Sequence, residues 1–338
     1  MSERAAGGRI AVLGLGRMGL PVAGRLASRM PPGAVTGFDP VAKRRAAASA
    51  AGLDVAASAE AAVRGADVLV LVLPGSAEVE EFVAGADGAS ILNLLEAGAT
   101  VLDLTSTDPR VAERAAHAMA TGRPGRAGSD GRAGDMGRPG RVGWVGAPMG
   151  GGVAGAGSGG LTLYVGGAAG DVERVRPLLD ALADPAGGGR VELAGAGPGD
   201  GCTAKLLVNA LWFGQVAAAA EVLQIGRERG LDPSRLVGLL ARSAAGGAVL
   251  EGYGQAIVDD EPLAVFGLDR VVEELEIVRG LAADAGTDAR LADLVARLHR
   301  EALAEFGPVD GELLVARLIA RRSGRSGSPS PDRATRGD

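Results

Sequence analysis

Short continuous apolar runs at residues 10–13, 35–38, 68–73 and 100–104 alternate with Ala-rich stretches that carry charges at helical spacing. The runs predict strands, and their unbroken apolarity fits strands covered by helices on both faces. Helices are expected at 20–30, 40–51, 58–64, 77–83 and 109–120, an alternation that builds βαβ units around a parallel sheet. Two further strands, 142–145 and 161–165, flank a glycine-rich turn, and a helix at 171–183 with a strand at 190–193 closes the first domain, 8–198. From residue 199 the period becomes helical. The first helix, 201–229, carries Leu206, Leu207, Ala210, Leu211, Phe213, Val216 and Leu223 over an arc too wide for one neighbour, which predicts burial, with a dimer core as one way to achieve it. Asp232-Pro233 is a stop and restart signal, and shorter helices follow to residue 321. The expected fold is α/β, a doubly wound parallel sheet followed by an all-α domain at 199–322. Residues 323–338, rich in Ser, Gly, Pro and Arg, are expected to form a disordered tail.

Composition narrows the function classes. The 338 residues hold 35 Lys and Arg against 41 Asp and Glu, a net charge of −6 that excludes a generally basic nucleic-acid coat protein. The length predicts two domains or one large one. Cys202 is the single cysteine and His117 and His299 are the only histidines, so no intramolecular disulfide and no structural zinc is expected, nor any other metal. The N-terminus lacks the form of a signal peptide, and no apolar stretch of about 18 residues runs without a charge or turn signal, so the expectation is a soluble cytoplasmic protein without membrane spans. Glycine recurs every third residue from 122 to 143, with Arg123, Arg126, Arg132, Arg138 and Arg141 outnumbering Asp130 and Asp135. Only Pro124 and Pro139 supply ring-stiffened positions there, so this insert, 121–143, reads as a flexible loop rather than collagen. A mobile cationic lid beside the active site is the sharper alternative.

Four clusters carry chemistry. Gly14-Leu15-Gly16-Arg17-Met18-Gly19 follows the first strand and opens a helix. Its glycines suit a tight turn, close approach of a pyrophosphate and close helix packing, and the helix N-terminus offers unpaired N–H groups to phosphates. Asp39, ending the second strand 25 residues after Gly14, can accept ribose hydroxyls and repel a 2′-phosphate, which favours NAD over NADP, with Lys43, Arg44 and Arg45 able to soften that preference. In the second cluster, Lys205 and Asn209 are i and i+4 on one helix and share a face. A lysine there can exchange a proton with a substrate oxygen while the amide orients it. The third, Asp103-Leu104-Thr105-Ser106-Thr107-Asp108-Pro109, lies at the C-terminal end of a strand, where open α/β sheets bind ligands, although Ser106, Thr107 or Asp108 can equally cap the next helix. The fourth, Gly146-Ala147-Pro148-Met149-Gly150-Gly151-Gly152, offers bare backbone amides as an anion nest or forms a plain turn.

In this order and spacing, over residues 9–321, the clusters resemble the β-hydroxyacid dehydrogenase family, which includes 3-hydroxyisobutyrate dehydrogenase, tartronate semialdehyde reductase and 6-phosphogluconate dehydrogenase. The resemblance implies a Rossmann-like NAD(P)-binding domain, a long interdomain helix, an all-helical substrate and dimerisation domain, and a homodimer or homotetramer. It implies hydride transfer between nicotinamide and a hydroxyl or carbonyl carbon in a cleft between domains. Lys205 is then the catalytic lysine and Asn209 its substrate-binding partner. Thr105 and Ser106 supply the hydroxyl loop, Gly150, Gly151 and Gly152 the substrate-binding turn, and Leu73, Pro74, Thr105 and Phe266 border the cofactor.

Three departures shape the substrate expectation. Gly150 replaces the serine that helps bind a substrate carboxylate in the family, and the hydroxyl pair is swapped to Thr105-Ser106. Glu273-Glu274 replaces a Lys-Asp pair seven residues beyond Phe266. A carboxylate in a poorly hydrated cleft repels anions, so a substrate other than a short β-hydroxy acid is expected, larger, neutral or cationic. Imine reductases are the runner-up, although they commonly lack the lysine that Lys205 supplies. A non-catalytic dinucleotide-binding dimer is a further alternative. No nucleic-acid or membrane partner is expected beside the small-molecule substrate.

Overall fold

The computed structural model describes residues 8–84, 91–121, 142–264 and 266–326. Contacts divide the chain within one long helix into two compact units, Met1–Lys205 and Leu206–Asp338.

In the first unit, β1 (Ile10–Leu13), β2 (Val35–Phe38), β3 (Asp54–Val55), β4 (Val68–Leu71), β5 (Thr100–Asp103) and β6 (Gly143–Gly146) lie in the order β3-β2-β1-β4-β5-β6, all parallel. The crossovers are α1 (Gly19–Arg29), α2 (Ala42–Ala50), α3 (Ala59–Val63), α4 (Ser76–Ala84) and α5 (Pro109–Thr121). Because side chains alternate along a strand, each strand feeds both faces. Val12, Val70, Leu102 and Val145 pack with Val22 and Leu26 of α1, whereas Ala11, Leu13, Leu69, Leu71 and Val101 pack with Val63, Val79, Val111 and Ala115 from α3, α4 and α5. That double burial is the physical reason for the unbroken apolar runs, and deleting a side chain such as Leu26 down to alanine costs about 2–5 kcal/mol.

Beyond β6 the structure departs from the predicted parallel sheet. β7 (Met149–Gly150) and β8 (Thr162–Gly167) enclose the short helix α6 (Gly152–Ser158), where only a turn was expected. β8 runs antiparallel to both β6 and β7, and β9 (Arg190–Gly195) is parallel to β8 after α7 (Ala169–Leu182). The run from 143 to 150 thus lies along one edge of β8, with the Tyr164 N–H donating to the Pro148 carbonyl at 3.1 Å between the two paired stretches.

The long helix α8 (Asp200–Glu228) starts in the first unit and continues into the second, so the unit boundary falls seven residues after the expected one. The second unit adds α9 (Pro233–Ala241), α10 (Ala248–Val258), α11 (Leu268–Asp284), α12 (Arg290–Phe306) and α13 (Leu314–Ser326). Its cores gather Phe213, Leu268, Val271, Leu275 and Val295 in one cluster and Val216, Ala217, Val249, Leu250 and Val315 in another. His299 is fully buried; its Nδ1 lies 2.9 Å from the Val295 carbonyl, and burial pushes the imidazole down to about 4.

The predicted all-round burial of α8 is only half met. Leu206, Phe213, Val216 and Leu223 are buried, but Leu207, Val208, Leu211, Val222 and Ile225 are exposed, Leu211 at 64% and Ile225 at 63%. By length and composition α8 is also apolar enough to cross a membrane, contrary to the reading from apolar runs, although Lys205, Asn209 and Glu221 lie within it and core helices pass the same test. Positions 323–326 of the expected tail belong to α13. Residues 122–141 of the glycine-periodic insert and 327–338 of the tail lie outside the described residues.

Candidate functional site

The loop after β1 shows what each glycine is for. Gly14 adopts φ +94°, and a Cβ there would lie 2.1 Å from the Val72 carbonyl oxygen, so only glycine fits. A Cβ on Gly19 would lie 1.9 Å from the Gly14 carbonyl oxygen, because the first turn of α1 packs directly on the loop. Gly16 differs: its nearest neighbour would be the Arg44 guanidinium at 3.9 Å, leaving open space above the backbone. The N-cap of α1 is Met18, which makes no side-chain capping bond. An open glycine beside a helix N-terminus without a side-chain cap fits a diphosphate. Arg17 is exposed and Met18 half-buried.

Asp39 is only 1% exposed. Its Oδ2 accepts from the Leu15 N–H and its Oδ1 from the Val41 N–H, both at 2.9 Å, and Arg44 Nη1 approaches Oδ2 at 3.4 Å. The carboxylate ties the glycine loop to the end of β2, and the half-exposed Arg44 stands beside it. The residues present suit a nicotinamide dinucleotide: Gly16 leaves open space beside the N-terminus of α1, and a buried carboxylate, Asp39, stands at the end of β2.

The next two loops are joined by one hydroxyl. Thr105 is buried; its Oγ1 accepts from the Leu73 N–H at 3.1 Å, and its own N–H donates to Asp103 Oδ1 at 3.0 Å. Asp103 is fully buried, and among the described residues its Oδ2 has no hydrogen-bond partner. Burial pushes the carboxyl up to about 7 against the opposing hydrogen bonds from Thr105. Thr105 is thus turned inward, while Ser106 is half-buried and Pro74 exposed. Of the three candidate caps, Asp108 fills the role, accepting from the Arg110 N–H at 2.9 Å. Cys202 Sγ lies 3.4 Å from Thr107 Oγ1, and burial, with the nearby Asp103 charge, raises the thiol to about 12, which removes it as a nucleophile.

The start of α8 is pressed onto the sheet: a Cβ on Gly201 would lie 2.1 Å from the Tyr164 carbonyl oxygen and 2.7 Å from that of Gly146. One turn later, Lys205 Nζ stands 5.9 Å from the centre of the Tyr164 ring, within cation–π range. Tyr164 also borders Gly150, whose absent Cβ would lie 3.7 Å from the ring's Cε2. The glycines expected to form an anion nest are ordered differently. Gly150 pairs with Thr162 in the sheet, Gly151 is a left-handed cap at φ +109°, and Gly152 opens α6. In the second unit, Asn209 Nδ2 donates to Glu274 Oε2 at 2.6 Å, with Glu274 only 5% exposed. The Glu273 carboxylate is paired with Arg270 Nη1 at 2.6 Å, so part of the expected negative charge is neutralised locally. Phe266 is half-buried against the Phe213 cluster.

Two cavities lie elsewhere. One of about 310 Å³ is lined by Leu223, Arg227, Asp260 and Arg317, and the other, about 330 Å³, opens at the N-terminal ends of β1 and β4 beside Asp67 and Arg174. Ligands of open α/β sheets bind at the opposite, C-terminal ends, where the loops above converge.

Residues 9–124 and 132–195 match the family described as the NAD binding domain of 6-phosphogluconate dehydrogenase, and residues 199–319 match the NAD-binding domain of NADP-dependent 3-hydroxyisobutyrate dehydrogenase. An NAD-dependent L-serine dehydrogenase of Pseudomonas aeruginosa is 32% identical over 301 residues, 86% of this chain and 91% of that protein. The chain belongs to the β-hydroxyacid dehydrogenase family. It is an NAD(P)-dependent oxidoreductase acting on a CH–OH or C=O carbon. A Mycobacterium tuberculosis 3-hydroxyisobutyrate dehydrogenase structure with L-serine superposes at a TM-score of 0.75 and 24% identity, covering 92% of this chain and 99% of that one. A Streptomyces aurantiacus imine reductase shares the fold at a TM-score of 0.54 and 20% identity, covering 92% and 99%.

Against the family pattern, sequence reasoning missed Tyr164, the buried Asp103 and the Glu274 partner of Asn209. Tyr164 carries no motif; only its place two residues along β8 from the partner of Gly150 brings it to Lys205. Asp103 opens the hydroxyl cluster and was legible as a strand-end carboxylate, but its burial was not.

Proposed function

We propose that Lys205 exchanges the proton on the substrate oxygen, that Asn209 and Ser106 position the substrate, and that Asp39 makes NAD the preferred cofactor. The observation that carries this reading is the pairing of Lys205 and Asn209 one turn apart on α8, each held by a specific neighbour, Tyr164 and Glu274. With its amide N–H donating to a buried carboxylate, Asn209 is held in one orientation on α8 by Glu274. The bound nicotinamide supplies or takes up the hydride. Thr105 serves the cofactor loops by fixing Leu73, rather than touching substrate, and the turn at Gly150, Gly151 and Gly152 lines the substrate site.

The substrate is a β-hydroxy compound other than a short simple β-hydroxy acid. The relative named for L-serine supports one that carries an ammonium, and the buried Glu274 carboxylate beside Asn209 supports the same sign of charge. The decisive experiment is cofactor oxidation or reduction with NAD(H) and NADP(H) separately, across L-serine, hydroxy acids, semialdehydes, ketones and cyclic imines. Lys205→Met is run in parallel and should lower turnover by more than about 100-fold while leaving cofactor affinity largely intact. Robust turnover of 3-hydroxyisobutyrate or glycerate would contradict the substrate assignment. Activity confined to cyclic imines would favour the imine reductase reading, which the Gly150 and Glu273 departures support.

A homodimer in the cytoplasm is part of the proposal. The exposed residues Leu207, Leu211, Val222 and Ile225, with Ala218, fall in a narrow stripe along α8, and a second copy of the chain is the cover this reading assigns to it. The lone buried thiol suits a reducing compartment.

A further inference from the structure

Tyr164, Gly150 and Lys205 form a group whose geometry the family pattern does not dictate. In the β7–β8 pair Gly150 faces Thr162, and Tyr164 is the diagonal neighbour on the same side of the sheet. The Cε2 edge of its ring borders the position that has no side chain. Packing does not require glycine there. A Cβ at 150 would meet Tyr164 Cε2 and the Thr162 carbonyl oxygen at 3.7 Å and Thr162 Cβ at 3.8 Å, all ordinary van der Waals distances. Serine therefore fits at 150, and the lack of a side-chain donor is a property of the surface rather than a result of crowding.

The ring also stands beside Lys205, with Nζ 5.9 Å from its centre. An aromatic face attracts a cation, because its quadrupole places negative charge above and below the plane. A carboxylate next to position 150 would lose water and meet no side-chain donor at 150, only ring carbon, which costs more than leaving an uncharged group there.

We infer that Tyr164 is a specificity-determining and positioning residue: its ring holds the Lys205 ammonium in place and makes the surface at Gly150 select a substrate whose neighbouring group is an ester, amide or alkyl group instead of a free carboxylate. This inference rests on the assignment of Lys205 as the proton-exchanging residue.

The test compares kcat/KM for two acid and ester pairs, L-serine with its methyl ester and 3-hydroxyisobutyrate with its methyl ester, in the native enzyme and in Gly150→Ser, Tyr164→Leu, Tyr164→Phe and Lys205→Met. The native enzyme should prefer the esters by roughly tenfold or more. Gly150→Ser should move the ratio toward the acids by roughly tenfold, the worth of one hydrogen bond to a charged group. Tyr164→Leu should lower kcat more than it changes KM and erase the ester preference, whereas Tyr164→Phe, which keeps the ring, should retain that preference. Native preference for the acids, or a ratio unmoved by both Gly150→Ser and Tyr164→Leu, would overturn the role of Tyr164 even with Lys205→Met inactive. A fully active Lys205→Met would instead overturn the assignment of the lysine on which the inference stands.

Discussion

Two glycine-rich segments of the first unit look alike in sequence and differ in what holds them. In the loop from Gly14 to Gly19, two glycines are demanded by close backbone approach, at 2.1 and 1.9 Å from a would-be Cβ, and the open one between them is where a ligand fits. In the segment from Gly146 to Gly152, Gly146 is likewise demanded, its would-be Cβ 2.5 Å from the Pro198 carbonyl oxygen, and Gly151 adopts φ +109°, but Gly150 is merely permitted, since a side chain there would make only ordinary contacts. The first segment is fixed by the fold, and in the proposed reading it serves the cofactor. In the second, position 150, beside Tyr164, has room for a side chain, and in the proposed reading it is the place where substrate choice is set.

Substitutions can break or sharpen this contrast. Gly14→Ala should have the largest effect: the added methyl collides with backbone and the φ of +94° is strained, so cofactor affinity by fluorescence titration should fall by more than about 100-fold, with a lowered Tm. Asp39→Ala should follow. It removes the acceptor of the Leu15 and Val41 N–H groups, so NAD affinity should drop by roughly tenfold while NADP is less affected. An unmodified protein that already prefers NADP would defeat the selectivity assigned to Asp39.

Asp103→Asn probes the loops between the two segments. The folded carboxyl titrates near 7 against an ordinary 3.8, so between those values the folded state binds more protons than the unfolded one. The stabilisation from a neutral Asp103 is complete below about 3.8 and is lost as pH rises through about 7. The variant should therefore gain Tm relative to the native protein between pH 5 and pH 8; an equal difference at both values would refute a buried charge at 103. The smallest effect is expected from Gly150→Ser, whose folding stability should stay within about 0.5 kcal/mol of native in urea unfolding, in contrast to Gly14→Ala.

The elements that sequence patterning located best are those whose cause is local. β1, β2 and the glycine loop were legible because apolar runs, a positive-φ turn and a helix start all leave marks within a few residues. Lys205 and Asn209 were legible as a pair because a helix repeats nearly every four residues. Helix α6 was missed because Gly152–Ser158 is almost all glycine and alanine, with no apolar stripe to read. The antiparallel return of β8 depends on how the chain closes after β6, which no periodicity records.

Sequence alone therefore determined the α/β order of the first unit, the helical second unit, the dinucleotide loop with its carboxylate, and the spacing of lysine and asparagine. Tertiary structure decided that Thr105 turns inward to hold Leu73, that Asp103 is buried, that Glu274 fixes Asn209 from 65 residues away, and that Tyr164 lies between Gly150 and Lys205. The division follows from range. Turns and helical faces are set by neighbours along the chain, whereas the surroundings of a charge or a ring are set by whichever distant strand or helix packing brings beside it.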